Sequence, residues 1–139
     1  MARKAGRAPN LFRRGTFEAF VLGLKGTTLV YQWGDAAVAK VGGKIFAIQG
    51  GGVSGDPGGL SFKCSELAFE MLPEVAGVRP APYLARAKWV AVAEGAALSP
   101  TEISGYLTEA HRLVAMRLPR RLKAELDLIE LTAPRPDRF

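Results

Sequence analysis

The sequence holds one cysteine and one histidine among 139 residues, which excludes an intrachain disulfide and any zinc site built from three or four Cys and His ligands. A reducing, cytoplasmic setting is the expectation. Long apolar runs are missing too. Phe20, Val21 and Leu22 are interrupted at Gly23, far short of the roughly 20 residues that a membrane-spanning helix needs. No apolar segment of signal-peptide type follows the basic N-terminus. What is present is ordinary globular material: 48% hydrophobic, 23% charged and 9% aromatic residues argue for a folded chain rather than a disordered or fibrous one. The length suits one compact domain that buries roughly two thirds of its unfolded surface.

The net charge of +6 is unevenly placed. Arg3, Lys4, Arg7, Arg13 and Arg14 give the first 14 residues +5 with no acid, whereas seven bases and seven acids cancel over residues 15–99. Residues 100–139 add +1, with Arg112, Arg117, Arg120, Arg121 and Lys123 running ahead of Glu125 without an intervening acid. A basic chain of this kind favours polyanions. The tail also reads as a solubilising extension or a targeting segment.

Periodicity supplies the elements. Thr16 reads as the N-cap of a helix whose apolar stripe is Phe17, Phe20, Val21 and Leu24, closed by Gly26. Thr27–Gln32 reads as a strand, Trp33-Gly34-Asp35 as a turn, and Ala36–Val41 and Lys44–Ile48 as strands joined at Gly42-Gly43, a hairpin signal. Residues 50–59 form a glycine-rich loop. It lacks the Gly-Lys-Ser/Thr ending of a phosphate-binding loop and opens no helix, so it reads as a hairpin connection to a strand over Leu60–Cys64. Ser65 caps a second helix with an apolar face of Leu67, Ala68, Met71 and Leu72, ending near Gly77. Lys88–Ala93 is a strand with Trp89 on one face and Val90 and Val92 on the other. Ser99-Pro100-Thr101-Glu102 carries a capping box, and the helix it opens presents Ile103, Tyr106, Leu107, Ala110, Leu113 and Val114. Pro119 ends or kinks that helix, and a further helical piece extends to about Leu131. This order predicts an α+β fold with a largely antiparallel sheet. The expected division is a basic flexible tail over residues 1–15, a single domain over 16–131 and an extended tail over 132–139.

Trp33-Gly34, the run Lys40–Ala47, Leu60-Ser61-Phe62-Lys63-Cys64, Pro82-Tyr83-Leu84 and Lys88-Trp89-Val90 fall in one order and spacing. Over about residues 16–118 the chain resembles the MmcQ/YjbR family. The resemblance implies a small bacterial protein with a fold similar to frataxin/CyaY, helices packing on one face of an antiparallel sheet, and a role in DNA binding. It supplies no catalytic residue. The chain departs from the family pattern in having Lys88 where histidine is commoner, and in its basic N-terminal tail and long glycine loop.

Enzyme chemistry lacks parts. Cys64 and His111 are the sole candidates for a nucleophile and base, yet Cys64 shares strand parity with Leu60 and Phe62 and no third orienting group is identifiable. An iron-handling surface needs several carboxylates on one face, and the first predicted helix carries only Glu18. No enzyme, cofactor or metal is therefore expected. The expected function is binding of nucleic acid, DNA above all, through phosphate contacts from Lys40, Lys44, Arg86 and Lys88, with Arg3, Lys4, Arg7, Arg13 and Arg14 of the tail. The alternative is a protein-interaction or regulatory domain. Both tryptophans are expected in the core. The hairpin leaves two arrangements open: a two-residue loop separates Lys40 and Lys44 onto opposite sheet faces, and a three-residue loop makes a wing with both on one face.

Overall fold

The computed structural model describes residues 10–52, 57–82 and 84–133. Six strands form one antiparallel sheet in the order β1-β2-β3-β4-β6-β5: β1 Thr27–Gln32, β2 Ala36–Val41, β3 Lys44–Gln49, β4 Leu60–Lys63, β5 Val78–Pro80 and β6 Trp89–Val92. The helices are α1 Arg14–Leu22, α2 Glu66–Met71, α3 Pro100–Met116 and α4 Arg120–Glu125. The chain is thus α+β, as its pattern predicts. No helix among the described residues is long and apolar enough to cross a membrane.

Turn chemistry sets the register. Gly42 and Gly43 both take positive φ (59° and 85°), the geometry of a two-residue hairpin loop whose twist matches that of its strands. Val41 therefore pairs with Lys44. A bulge between Ala39 and Lys40 then sets Lys40 opposite Ile45. A Cβ on Gly42 would lie 2.6 Å from Leu118 Cδ1, so this turn also marks where the end of α3 approaches the sheet. The glycine loop connects β3 to β4 as a hairpin, closed by the Gly50 N–H donating to the Gly59 carbonyl at 2.9 Å.

Strand alternation sends Phe46, Leu60, Phe62, Val90 and Val92 into the main core with Phe17, Val21, Ile103, Leu107 and Leu128. Each such side chain stabilises the fold by about 1.5–3 kcal/mol on burial. The α3 helix starts from the capping box that Ser99 and Glu102 form. It lays Ile103, Leu107, Ala110, His111, Val114 and Ala115 inward. The other face of the sheet is also apolar at its centre, where Ala36, Val38, Ile48, Trp89 and Ala91 gather with Ala81.

Four local expectations need correction. The N-cap of α1 is Arg13, not Thr16, and the helix closes at Gly23 rather than Gly26. Leu11 is buried ahead of the helix, and this anchor starts α1 a turn early. In α2, Leu67 and Met71 are exposed, and Ala68, Phe69 and Leu72 pack inward instead. Phe69 and Leu72, three positions apart, share the face turned to the core, which leaves Leu67 and Met71 on the outer side, and Pro73 then turns the chain into a short 3-10 turn over Leu72–Glu74. The last helical piece stops at Glu125 and does not reach Leu131, because Asp127 adopts φ 62°. Trp33 is 53% exposed, since it occupies the β1–β2 turn beyond the reach of the core, whereas Trp89 is buried as expected.

Candidate nucleic-acid interface

One end of the sheet collects the Gly42-Gly43 hairpin, the end of β4, the start of β6 and the C-terminal turn of α3. Four cations meet there. Lys44, directly after the hairpin glycines, lines a cleft with Val114, Arg117 and Leu118. Arg117 also borders a second cleft, with Lys63, Cys64, Glu66, Lys88 and Met116. Among the described residues the ion pairs are Arg14–Asp35, Lys25–Asp127 and Arg112–Glu109, so none of the four cations is neutralised by one.

Each of these cations is placed by the backbone. Lys63 ends β4 opposite Trp89, and its Nζ donates to the Ala87 carbonyl at 2.6 Å. Burial lowers the Lys63 pKa below its ordinary value; the positive charges of Arg117 and Lys88 push the same way, and Cys64 and Glu66 oppose them. Lys88 sits in the left-handed region (φ 65°) and closes the 3-10 turn Ala85–Ala87. The Lys88 carbonyl accepts from the Cys64 N–H at 2.9 Å and from Cys64 Sγ at 3.5 Å, and its ammonium lies 5.1 Å from the centre of the Phe69 ring. Arg117 is the C-cap of α3. Cations suit a helix C-terminus for dipole reasons alone, and Lys123 serves that role directly by donating to the Met116 carbonyl at 3.1 Å. Beyond them, α4 presents exposed Arg120 and Arg121.

The remaining expected cations do not join this group. Lys40 pairs with Thr28 and Ile45 on the face away from the helices, while Lys44 pairs with Val41. The two lysines are therefore on opposite faces, and the wing does not form. Arg86 is exposed on the 3-10 turn beside Lys88. Arg13 and Arg14 begin α1 at the far end of β2, roughly 17 Å away by strand length. Arg14 is engaged there in holding the fold: Nε donates to Gln49 Oε1 at 2.6 Å, Nη2 donates to the Asp35 carbonyl, and Nη1 lies 3.6 Å from the Asp35 carboxylate. Arg3, Lys4 and Arg7 lie outside the described residues. Lys63 and Arg117 thus join the cluster although they are not among the phosphate-contacting residues expected from the sequence. The signal for Arg117 was its place in the basic run after α3; Lys63 carried none, because its neighbours come from β6 and α3.

The Cys64–His111 pair does not assemble. Cys64 Sγ faces the Lys88 carbonyl, and burial pushes the thiol up to about 11, which keeps it protonated near neutrality. His111 Nε2 bonds the Lys25 carbonyl at 2.7 Å, and the ring packs edge-on against Phe46. Among the described residues no three His, Cys, Asp or Glu side chains gather as metal ligands.

Comparison with known proteins places this architecture. The fold is similar to a Deinococcus radiodurans protein, DR2400, described as carrying the family-model domain DUF419, with TM-score 0.67 and 18% identity over 82% of this chain and 87% of that one. It is also similar to a Pseudomonas syringae protein, with TM-score 0.59 and 19% identity over 73% of this chain and 97% of that one. At these identities the likeness shows the fold. No curated protein is similar to the chain at a significant level. The model of the YjbR family matches residues 22–113, a segment that contains Lys44, Lys63 and Lys88 and stops short of Arg117. With about two thirds of its length matched in this way, the chain belongs to the YjbR family.

Proposed function

We propose that this protein is a non-enzymatic module that binds DNA through its phosphate backbone at the end of the sheet formed by Lys44, Lys63, Lys88 and Arg117. The observation that carries the reading is the convergence of four cations on two clefts that share Arg117, one lined by Lys44 and the other by Lys63 and Lys88, with none of the four in an ion pair among the described residues. Four cations beside one carboxylate, Glu66, leave the empty site net positive, and an anion seated among them relieves the repulsion. Phosphate oxygens accept from Lys and Arg in any duplex sequence, so the contacts described support sequence-tolerant binding. The exposed Arg86, Arg120 and Arg121 extend the same surface.

Salt dependence tests this. Four phosphate contacts give a slope of about −3.6 in log affinity against log salt, a weakening of about 150-fold between 50 and 200 mM. Fluorescence anisotropy of a labelled duplex with the full chain measures that slope. Arg117→Ala and Lys44→Ala should each flatten it by about 0.9. Substituting Arg3, Lys4 and Arg7 together by alanine separates a contribution of the tail. Loss of all binding in that triple variant, or equal slopes for Arg117→Ala and the parent, refutes the assignment to this end of the sheet. Absence of binding at low salt refutes DNA binding altogether.

A further inference from the structure

We propose that the outer edge of β1 pairs antiparallel with the same edge of a second copy of this chain, joining two six-stranded sheets across a two-fold axis. Among the described residues β1 is an edge strand, as is β5. The two edges differ in protection. β5 is three residues long and carries exposed Arg79 and Pro80, a charge and an imide of the kind that blunts edges against pairing. β1 runs for six residues as Thr-Thr-Leu-Val-Tyr-Gln with neither charge nor proline. Such an edge offers a row of backbone donors and acceptors to an incoming strand.

Exposed apolar groups lie on β1, on the turn after it and on the helix packed over it. Leu22 is 52% exposed on α1, which packs over β1, and Tyr31 is 57% exposed on the strand itself. Trp33 follows at the turn with φ 52°, an uncommon conformation for a bulky side chain. Tyr31 is exposed yet fixed: its hydroxyl donates to Glu18 Oε2 at 2.7 Å, and the Arg14 guanidinium lies 5.9 Å from its ring centre. An aromatic group already held in one position loses little freedom when a partner covers it.

The occupant follows from self-complementarity. Opposed residues of an antiparallel pair share a sheet face, so the two-fold axis runs midway between one residue and the same residue of the second copy. With the axis at Val30, Leu29 falls opposite Tyr31 and Thr28 opposite Gln32, an aliphatic-aromatic pair and a polar pair. The same register brings Lys25 toward Asp35 of the second copy at both ends of the seam. Each already holds an ion pair within its own chain, Lys25 with Asp127 and Asp35 with Arg14, yet they remain 60% and 88% exposed, so the second copy would extend these pairs across the seam. No like charges meet along the strand. Antiparallel pairing also directs the two basic ends, at Lys44 and Arg117, to opposite extremities of the assembly. The pairing is independent of whether that end binds DNA.

Sedimentation equilibrium on the full chain, from micromolar to submillimolar concentration without nucleic acid, tests the pairing. The expected result is a reversible dimer, accompanied by a blue shift of tryptophan emission as Trp33 is covered while Trp89 stays buried. The double variant Thr28→Lys, Gln32→Lys replaces two exposed residues and sets lysine opposite lysine twice. It should sediment as a monomer with unchanged far-UV circular dichroism. Val30→Cys, on the axis, should cross-link under mild oxidation, since Cα atoms in such a pair approach to about 4.5–5.5 Å. A parent that stays monomeric throughout, or a dimer that is indifferent to the two lysines and gives no cross-link in the Val30→Cys variant, overturns the proposal.

Discussion

Acidification should destabilise this protein through His111, and the structure sets both the sign and the size of the effect. His111 is 2% exposed. Its Nε2 donates to the Lys25 carbonyl at 2.7 Å, tying α3 to the loop between α1 and β1, and the Phe46 ring meets its edge at a centroid distance of 5.2 Å. Burial pulls its pKa below the ordinary 6.5, and the backbone bond only partly opposes this. A base whose folded-state pKa is depressed binds fewer protons in the folded chain than in the unfolded one. Well above pH 6.5 both states are neutral and the contribution to stability is complete. Below that value stability falls by as much as about 1.4 kcal/mol per pH unit until the folded-state pKa is reached. Moving from pH 7.0 to pH 5.5 therefore costs at most about 1.3 kcal/mol, a drop of roughly 0.4–1.3 M in the urea midpoint for a domain of this size. Asp127, held below its ordinary 3.8 first by its hydrogen bond from Lys25, loses its contribution only as pH falls below that range, outside the window. Urea melts at the two pH values, repeated on His111→Gln, make the measurement. A midpoint that is unchanged or higher at pH 5.5, or an equal drop in the variant, refutes the account of a neutral buried imidazole.

Two adjacent glycines separate backbone strain from steric space. Gly51 and Gly52 share nearly the same φ, 71° and 75°, but a Cβ at Gly51 would lie 2.6 Å from the Ala36 N atom while none is within 4 Å at Gly52. Gly52→Ala should cost about 1 kcal/mol from φ alone, and Gly51→Ala clearly more, because backbone rather than a flexible side-chain tip must move; equal losses in thermal melts would show that space is not limiting. Cys64 should resist alkylation in the native state. With its thiol at about 11, only about one molecule in a thousand is thiolate at pH 8, and the side chain is 3% exposed; rapid labelling by iodoacetamide without denaturant would contradict this environment.

Much of the fold was legible because its signals are local. The strand Thr27–Gln32 follows from a β-branched and aromatic run, the capping box at Ser99 from a four-residue pattern, and the β2–β3 turn from Gly42-Gly43. In each case the residues that decide the structure are neighbours in the chain, so their chemistry reads directly. The differences arise where packing against the core or a neighbouring backbone turn overrides such patterns. Leu11 is buried ahead of α1, Phe69 replaces Leu67 and Met71 on the packed face of α2, and the left-handed turn at Asp127 closes α4 early, where Lys25 donates to the Asp127 carboxylate across 102 positions of sequence.

The candidate site shows the same division more sharply. Lys44 and Lys88 could be named in advance because each adjoins a recognisable turn or strand start. Their grouping with Lys63 and Arg117 could not, since it depends on β4 pairing with β6 and on α3 lying across β3 and β4. Five cations fall in the N-terminal 14 residues and read in the sequence as one arm. Yet Arg14 is engaged with Gln49 and Asp35 at the opposite end of the sheet from Lys44. A cation that makes several fixed contacts within the fold would have to break them to reach a phosphate, whereas Lys44 and Arg117 meet no such cost among the described residues. Local charge density in a sequence therefore identifies where cations occur, and only the register of the sheet decides which of them are available to a ligand.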